Sequence, residues 1–158
     1  MRYAGIIKND FAAAPGVCLT FFVQGCPIRC KGCHNPESWD FNGGKEFSPE
    51  VLDEIYEGLI ANGIQRTLCV MGGEPLCEEN LFLTHMVVRE MLNKIPDLKV
   101  WIWTGYNSEV VFEKDDPKTS YLLEHITGLV TGPFIERLKD ITLPMRGSSN
   151  QEIINLTE

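Results

Sequence analysis

A chain of 158 residues carrying a net charge of −8 can bury one substantial core but not two. Its 44% hydrophobic and 23% charged residues exclude a disordered chain, its acidity disfavours nucleic acid as a partner, and its longest apolar runs, such as residues 68–71, are far too short to span a bilayer. Residues 1–11 contain Lys8 and Asp10 and no long apolar stretch, so no signal peptide is expected and the cytoplasm is the expected compartment.

In chain order, residues 1–7 fit either an edge strand or the first arm of a hairpin with residues 17–23. Residues 17–24 (VCLTFFVQ) are rich in β-branched and aromatic side chains and stop at Gly25, which reads as a buried strand. Ser48 is the expected N-cap of a helix that opens on Pro49, carries Leu52, Ile55 and Leu59 at helical spacing and stops at Asn62 and Gly63. Residues 67–71 form a second apolar run closed by Gly72. A second helix is expected to begin near Asn80, with Leu83, Val87, Met91 and Ile95 each four apart and Pro96 beyond its end. Residues 99–104 (KVWIWT) read as a third strand closed by Gly105, and residues 126–131 as a weaker fourth closed by Gly132 and Pro133.

Strands alternating with helices predict a parallel sheet with crossover helices. A closed eight-stranded barrel takes about 250 residues. The expected architecture is therefore α/β, an open partial (β/α) barrel of mostly parallel strands, in one domain covering residues 1–158. Four glycine-bearing segments each follow directly on a predicted strand: the cysteine-rich loop after Gly25, Gly72-Gly73-Glu74-Pro75, Thr104-Gly105-Tyr106 and Thr131-Gly132-Pro133. In a parallel sheet such points share the carboxyl-end face, where ligands bind, so the four turns are expected to ring one pocket.

Six cysteines in a cytoplasmic chain are not expected to pair as disulfides. Cys26, Cys30 and Cys33 follow one another with the spacing C-x3-C-x2-C, and three thiolates so close can wrap one face of a metal centre. An iron–sulfur cubane held by three cysteines leaves one iron open, whereas structural zinc closes four ligands and would recruit His34 or one of Cys18, Cys69 and Cys77. Spacing alone leaves both open. At Gly72 and Gly73 the missing side chains let backbone carbonyls approach a ligand closely, and Glu74 beside them is a candidate acceptor for a cationic group.

C-x3-C-x2-C after the first buried strand, with Gly72-Gly73-Glu74-Pro75 after the second, resembles the radical S-adenosylmethionine superfamily. Residues 101–106 (WIWTGY), residues 146–151 (RGSSNQ) and Cys33-His34-Asn35 further resemble the activating proteins of the anaerobic ribonucleoside-triphosphate reductase, and the likeness runs from about Gly16 to about Ile154. The resemblance implies a radical S-adenosylmethionine type of partial barrel and a 4Fe-4S cluster on Cys26, Cys30 and Cys33. It implies S-adenosylmethionine chelating the open iron through its amino and carboxylate groups, with Gly32, Cys33, His34, Gly72, Gly73, Glu74, Thr104 and Tyr106 around the cosubstrate. An electron from the reduced cluster would cleave the sulfonium, and the resulting 5'-deoxyadenosyl radical would take a hydrogen from a glycine Cα of the reductase large subunit. The implied partners are that subunit and a low-potential electron donor such as flavodoxin, with no membrane and no nucleic acid. Arg29, Lys31, Arg146 and Asn150 are candidate contacts to these partners or to substrate.

The sequence departs from the family pattern at three places. Gly32 stands where many superfamily members carry an aromatic residue beside adenine, Thr131 where an Asp is expected before Gly-Pro, and Met145 where a Trp is expected before Arg-Gly-Ser. His85 is expected on the solvent side of the second helix and His125 at the approach to the last strand, both without a chemical role. Trp101 and Trp103 are expected in the core or barrel wall. Two other readings of the function are an activase of a different glycyl-radical enzyme, such as formate acetyltransferase, and a zinc-binding interaction module without catalysis.

Overall fold

A computed structural model describes residues 1–33 and 35–157. Seven strands form one open sheet in the order β3-β1-β2-β4-β5-β6-β7. They are β1 (Arg2–Asp10), β2 (Cys18–Val23), β3 (Lys45–Glu46), β4 (Thr67–Gly72), β5 (Val100–Trp103), β6 (Gly128–Thr131) and β7 (Glu152–Asn155). The centre is parallel: β2, β4, β5 and β6 run side by side in chain order. The edges are antiparallel, with β1 on β2, β3 on β1 and β7 on β6. Residues 1–7 thus belong to the hairpin, one of the two arrangements the sequence allows.

Helix α1 (Pro49–Ile60) links β2 to β4, α2 (Glu78–Lys94) links β4 to β5, and α3 (Ser108–Glu113) with α4 (Pro117–His125) links β5 to β6. Alternation along the strands sorts the two faces of the sheet. Leu19, Phe21, Val23, Leu68, Val70, Val100, Ile102 and Leu129 pack beneath all four helices, against Ile55, Leu83, Val87, Met91, Val111 and Leu122 among others. The other face carries Cys18 and Cys69 with Met71, Trp101 and Trp103, and is covered by Ala13, Ala14 and Met145 from loops. The core is therefore one-sided. No described helix is long and apolar enough to cross a membrane.

Helix α2 begins two residues before Asn80, with Cys77 at the N-cap. The Cys77 carbonyl accepts the amides of Asn80 and Leu81, so the Asn80 side chain is free for other use. Asp116 caps α4 by accepting the Lys118 amide at 2.8 Å, and Pro117 occupies the first helical position. Asp116-Pro117 is a helix start whose signal is present in the sequence. His85 is half-buried, its ring meeting Tyr121 of α4 edge-on at 5.0 Å. His125, at the end of α4, stacks on the same Tyr121 ring at 4.0 Å.

Burial, reinforced by the nearby charges of Arg89 and Lys118, holds the His85 imidazole below its ordinary pKa. The unfolded chain then binds the proton more readily than the folded one, so stability falls as pH drops below about 6.5. Replacing His85→Phe keeps a ring against Tyr121 and removes the titration. Chemical denaturation between neutral and mildly acid pH is expected to show a shallower loss of stability in that variant.

Candidate functional site

The loop that carries the cysteines is closed by the residues on either side of it. Gln24 is 3% exposed, and its side-chain amide donates to the carbonyls of Glu37 (2.9 Å) and Asp40 (2.7 Å). The Gly25 amide donates to Ser38 O at 2.6 Å and the Cys26 amide to Trp39 O at 3.1 Å. Within the loop the Cys33 amide turns back to Cys30 O at 3.2 Å. Gly32 has φ +77°, and a Cβ there would meet the Glu136 carboxylate. The left-handed backbone opposes the aromatic residue that many relatives of the superfamily carry at this position.

Cys26, Cys30 and Cys33 are each half-buried and all line one cavity of about 280 Å³. Burial pushes the Cys26 and Cys30 thiols up, and backbone amides at Arg29 and Ile28, and at Phe134, partly offset this. Among the described residues no three His, Cys, Asp or Glu side chains converge on a point where a single ion would sit. The remaining cysteines lie elsewhere. Cys18 and Cys69 are on the loop-covered face of the sheet, and Cys77 donates to Glu74 O at 3.2 Å with its thiol pushed up to about 12 by burial. Arg29 and Lys31 stand exposed on the cysteine loop, and His34 lies outside the described residues.

Gly72, Gly73 and Glu74 line the same cavity. A Cβ on Gly73 would sit 2.3 Å from Gly25 O, so glycine is required here for the approach of two backbone segments. The Glu74 amide donates to that same oxygen at 2.8 Å. The Glu74 side chain is 1% exposed, and its carboxylate accepts three bonds from the protein: Leu76 N (2.9 Å), Thr104 Oγ1 (2.6 Å) and Gly105 N (2.7 Å). Burial raises the Glu74 pKa against the pull of these donors. The carboxylate is thus a clasp joining the turn after β4 to the turn after β5.

Thr104 and Gly105 reach the cavity, but Tyr106 is not among its lining residues. Tyr106 packs against the main core with the Lys114 ammonium 5.1 Å from its ring centroid, and burial pushes its phenol up to about 12. The turn after β6 contributes Phe134 to the wall. Residues 146–151 are a latch over that turn. Gln151 Nε2 donates to Gly132 O (3.0 Å), Asn150 Nδ2 to Pro133 O (2.8 Å), and Arg146 Nη1 to Gln151 O (2.7 Å). Gly147 and Gln151 line the cavity, whereas Arg146 lines a neighbouring groove of about 460 Å³ that shares Met71, Trp103 and Gly147 with it. Met145, in place of the expected Trp, accepts a 2.6 Å bond from Trp103 Nε1. Thr131, in place of the expected Asp, is buried with no partner for its hydroxyl among the described residues.

Sequence reasoning missed Phe22, Ile28, Met71, Phe134 and Gln151 as cavity walls, and read Trp103 only as core or barrel wall. Phe22, Met71 and Trp103 are the outward alternates at the ends of β2, β4 and β5, a signal available once the faces are assigned.

Residues 12–154 match a family described as a 4Fe-4S single cluster domain. A Vibrio cholerae protein named anaerobic ribonucleoside-triphosphate reductase-activating protein is 36% identical over 158 residues, covering 99% of each chain. Proteins of the same name from Escherichia coli K12 and bacteriophage T4 are 32% and 30% identical, covering 99% and 100% of this chain and 99% and 96% of their own lengths.

The clasp is testable without any cofactor. Thr104→Val keeps the shape of the side chain and removes one donor from the buried Glu74 carboxylate. Urea unfolding of the variant is expected to show a loss of about 1–3 kcal/mol.

Proposed function

This chain belongs to the family of anaerobic ribonucleoside-triphosphate reductase-activating proteins, and on that premise we propose that Cys26, Cys30 and Cys33 ligate three irons of a 4Fe-4S cluster whose open iron takes S-adenosylmethionine. One observation carries the proposal. Of the chain's six cysteines, only these three open into the cavity walled by Gly72, Gly73, Thr104 and Gly105. Three thiols on one cavity suit a cubane with one open iron, whereas a structural zinc closes four ligands. The chemistry the group supplies when bound is one-electron reductive cleavage of the cosubstrate.

The protein's share is to bind, orient and exclude water. Backbone carbonyls at Gly72 and Gly73 are the acceptors we assign to the cosubstrate's ammonium, with the buried Glu74 clasp holding that wall in place. Ile28, Trp103 and Phe134 supply apolar surface to the cavity. The fold supports the reading as well. Four parallel strands advance in chain order with every crossover helix on one face, which is the winding of a barrel segment and not of a doubly wound sheet. We assign residues 1–158 to one domain of this partial-barrel type.

The target we propose is a glycine of the anaerobic reductase, the enzyme for which the relatives are named. A glycine Cα radical is delocalised over the two flanking peptides, and the bare Cα can enter a narrow cavity. Arg29 and Lys31 are the only basic residues in the loop between Cys26 and Cys33, on a chain of net charge −8. We assign them to docking an acidic, low-potential electron donor such as a flavodoxin.

After anaerobic reconstitution, the parent chain is expected to hold about four irons with matching sulfide and to cleave S-adenosylmethionine to methionine and 5'-deoxyadenosine. Cys26→Ala, Cys30→Ala and Cys33→Ala should each lose cleavage, and Cys18→Ala should retain it. Full cleavage by Cys30→Ala, or zinc in place of iron in the parent chain, would remove the proposal. Reversing Arg29→Glu together with Lys31→Glu should slow reduction by a protein donor, more at low salt than at high, with little effect on reduction by a small chemical reductant.

A further inference from the structure

Asn80 lies in the first turn of α2 and is 5% exposed, yet it neither caps the helix nor lines the cavity. Its Nδ2 donates to two carbonyls on different turns, Gly25 O at 3.0 Å and Glu74 O at 3.1 Å. Gly25 directly precedes the first cysteine of the cluster loop, and Glu74 belongs to the turn we assign to the cosubstrate. The two turns thus meet on the two hydrogens of one side-chain amide. Asparagine suits the place because its NH2 group has two donors, whereas a carboxylate would set an acceptor against two carbonyl oxygens. A buried amide is costly to desolvate unless it is bonded, and this one is bonded across the join and not within its own helix.

We propose that Asn80 is a positioning residue for S-adenosylmethionine. It fixes the separation between the cluster loop and the Gly72–Glu74 wall, and so sets affinity for a ligand it does not touch. The inference rests on the assignment of the cosubstrate to this cavity. Thr84, one turn further along the same helix, offers an internal comparison. Its hydroxyl ties α2 to Pro75 O at 2.8 Å and makes no bond to the cluster loop.

The test uses Asn80→Asp, Asn80→Ser and Thr84→Val in the full chain with the cluster reconstituted. Two quantities are read: the dissociation constant for S-adenosylmethionine, from its effect on the reduced cluster's paramagnetic spectrum, and hydrogen exchange across residues 24–33 before reconstitution. Asn80→Asp is expected to weaken binding by roughly tenfold or more and Asn80→Ser severalfold, each with iron retained and faster exchange in residues 24–33. Thr84→Val is expected to bind within about twofold of the parent. If Asn80→Asp does not fold, Asn80→Ser decides. Binding within about twofold of the parent by a folded Asn80 variant, or an equal loss in Thr84→Val, overturns the inference. A parent chain that holds the cluster and fails to bind S-adenosylmethionine would instead remove the site assignment on which it stands.

Discussion

The carbonyl oxygen of Gly25 accepts one hydrogen bond from the Glu74 amide at 2.8 Å and a second from Asn80 Nδ2 at 3.0 Å, and a Cβ on Gly73 would sit 2.3 Å from it. At this point the loop leaving β2 and the turn leaving β4 touch through backbone alone. Parallel pairing of β2 with β4, register Val23 to Gly72, delivers both ends to the same height, and the absence of a side chain at Gly73 lets them close. From there the Glu74 carboxylate reaches the turn after β5, and the 146–151 latch holds the turn after β6. Four loops that are distant in sequence therefore share one rigid frame. A buried acid with a raised pKa is tolerated in that frame because three donors face it, and losing any of them leaves charge or polarity uncompensated.

The two faces of the sheet are covered unequally. All four helices pack on one face of the sheet, and the other face is roofed only by loops. The cavity lined by the three cysteines shares Met71, Trp103 and Gly147 with the groove lined by Ala12, Ala13, Leu143 and Met145. Phe11 and Ile141, next to that lining in the chain, are 74% and 88% exposed.

The parallel centre of the fold and the residues of the cavity's polar wall were legible in the sequence because their signals are local. Apolar runs ending in glycine mark β2, β4, β5 and β6, and the cysteine spacing is self-contained. What escaped the sequence depended on contacts between distant segments. Glu74 reads as a ligand-facing acid until Thr104 and Gly105 are seen to take its oxygens, and Tyr106 reads as a cavity residue until Lys114 and the core claim its ring. Residues 146–151 read equally well as a tail or a grip, and hydrogen bonds to Gly132 and Pro133 show the grip. Helices α3 and α4 are six and nine residues long, too short for a periodic pattern to stand out. Asn80 was noticed as a helix start, and nothing local in the sequence says that its amide turns toward Gly25.

Radical spectroscopy after anaerobic mixing with the cognate reductase, S-adenosylmethionine and a strong reductant tests the central claim most directly. The account predicts an organic radical on the reductase whose proton splitting collapses when its glycine is deuterated at Cα. A reduced cluster that binds and cleaves S-adenosylmethionine, yet leaves no radical on the reductase, would contradict it.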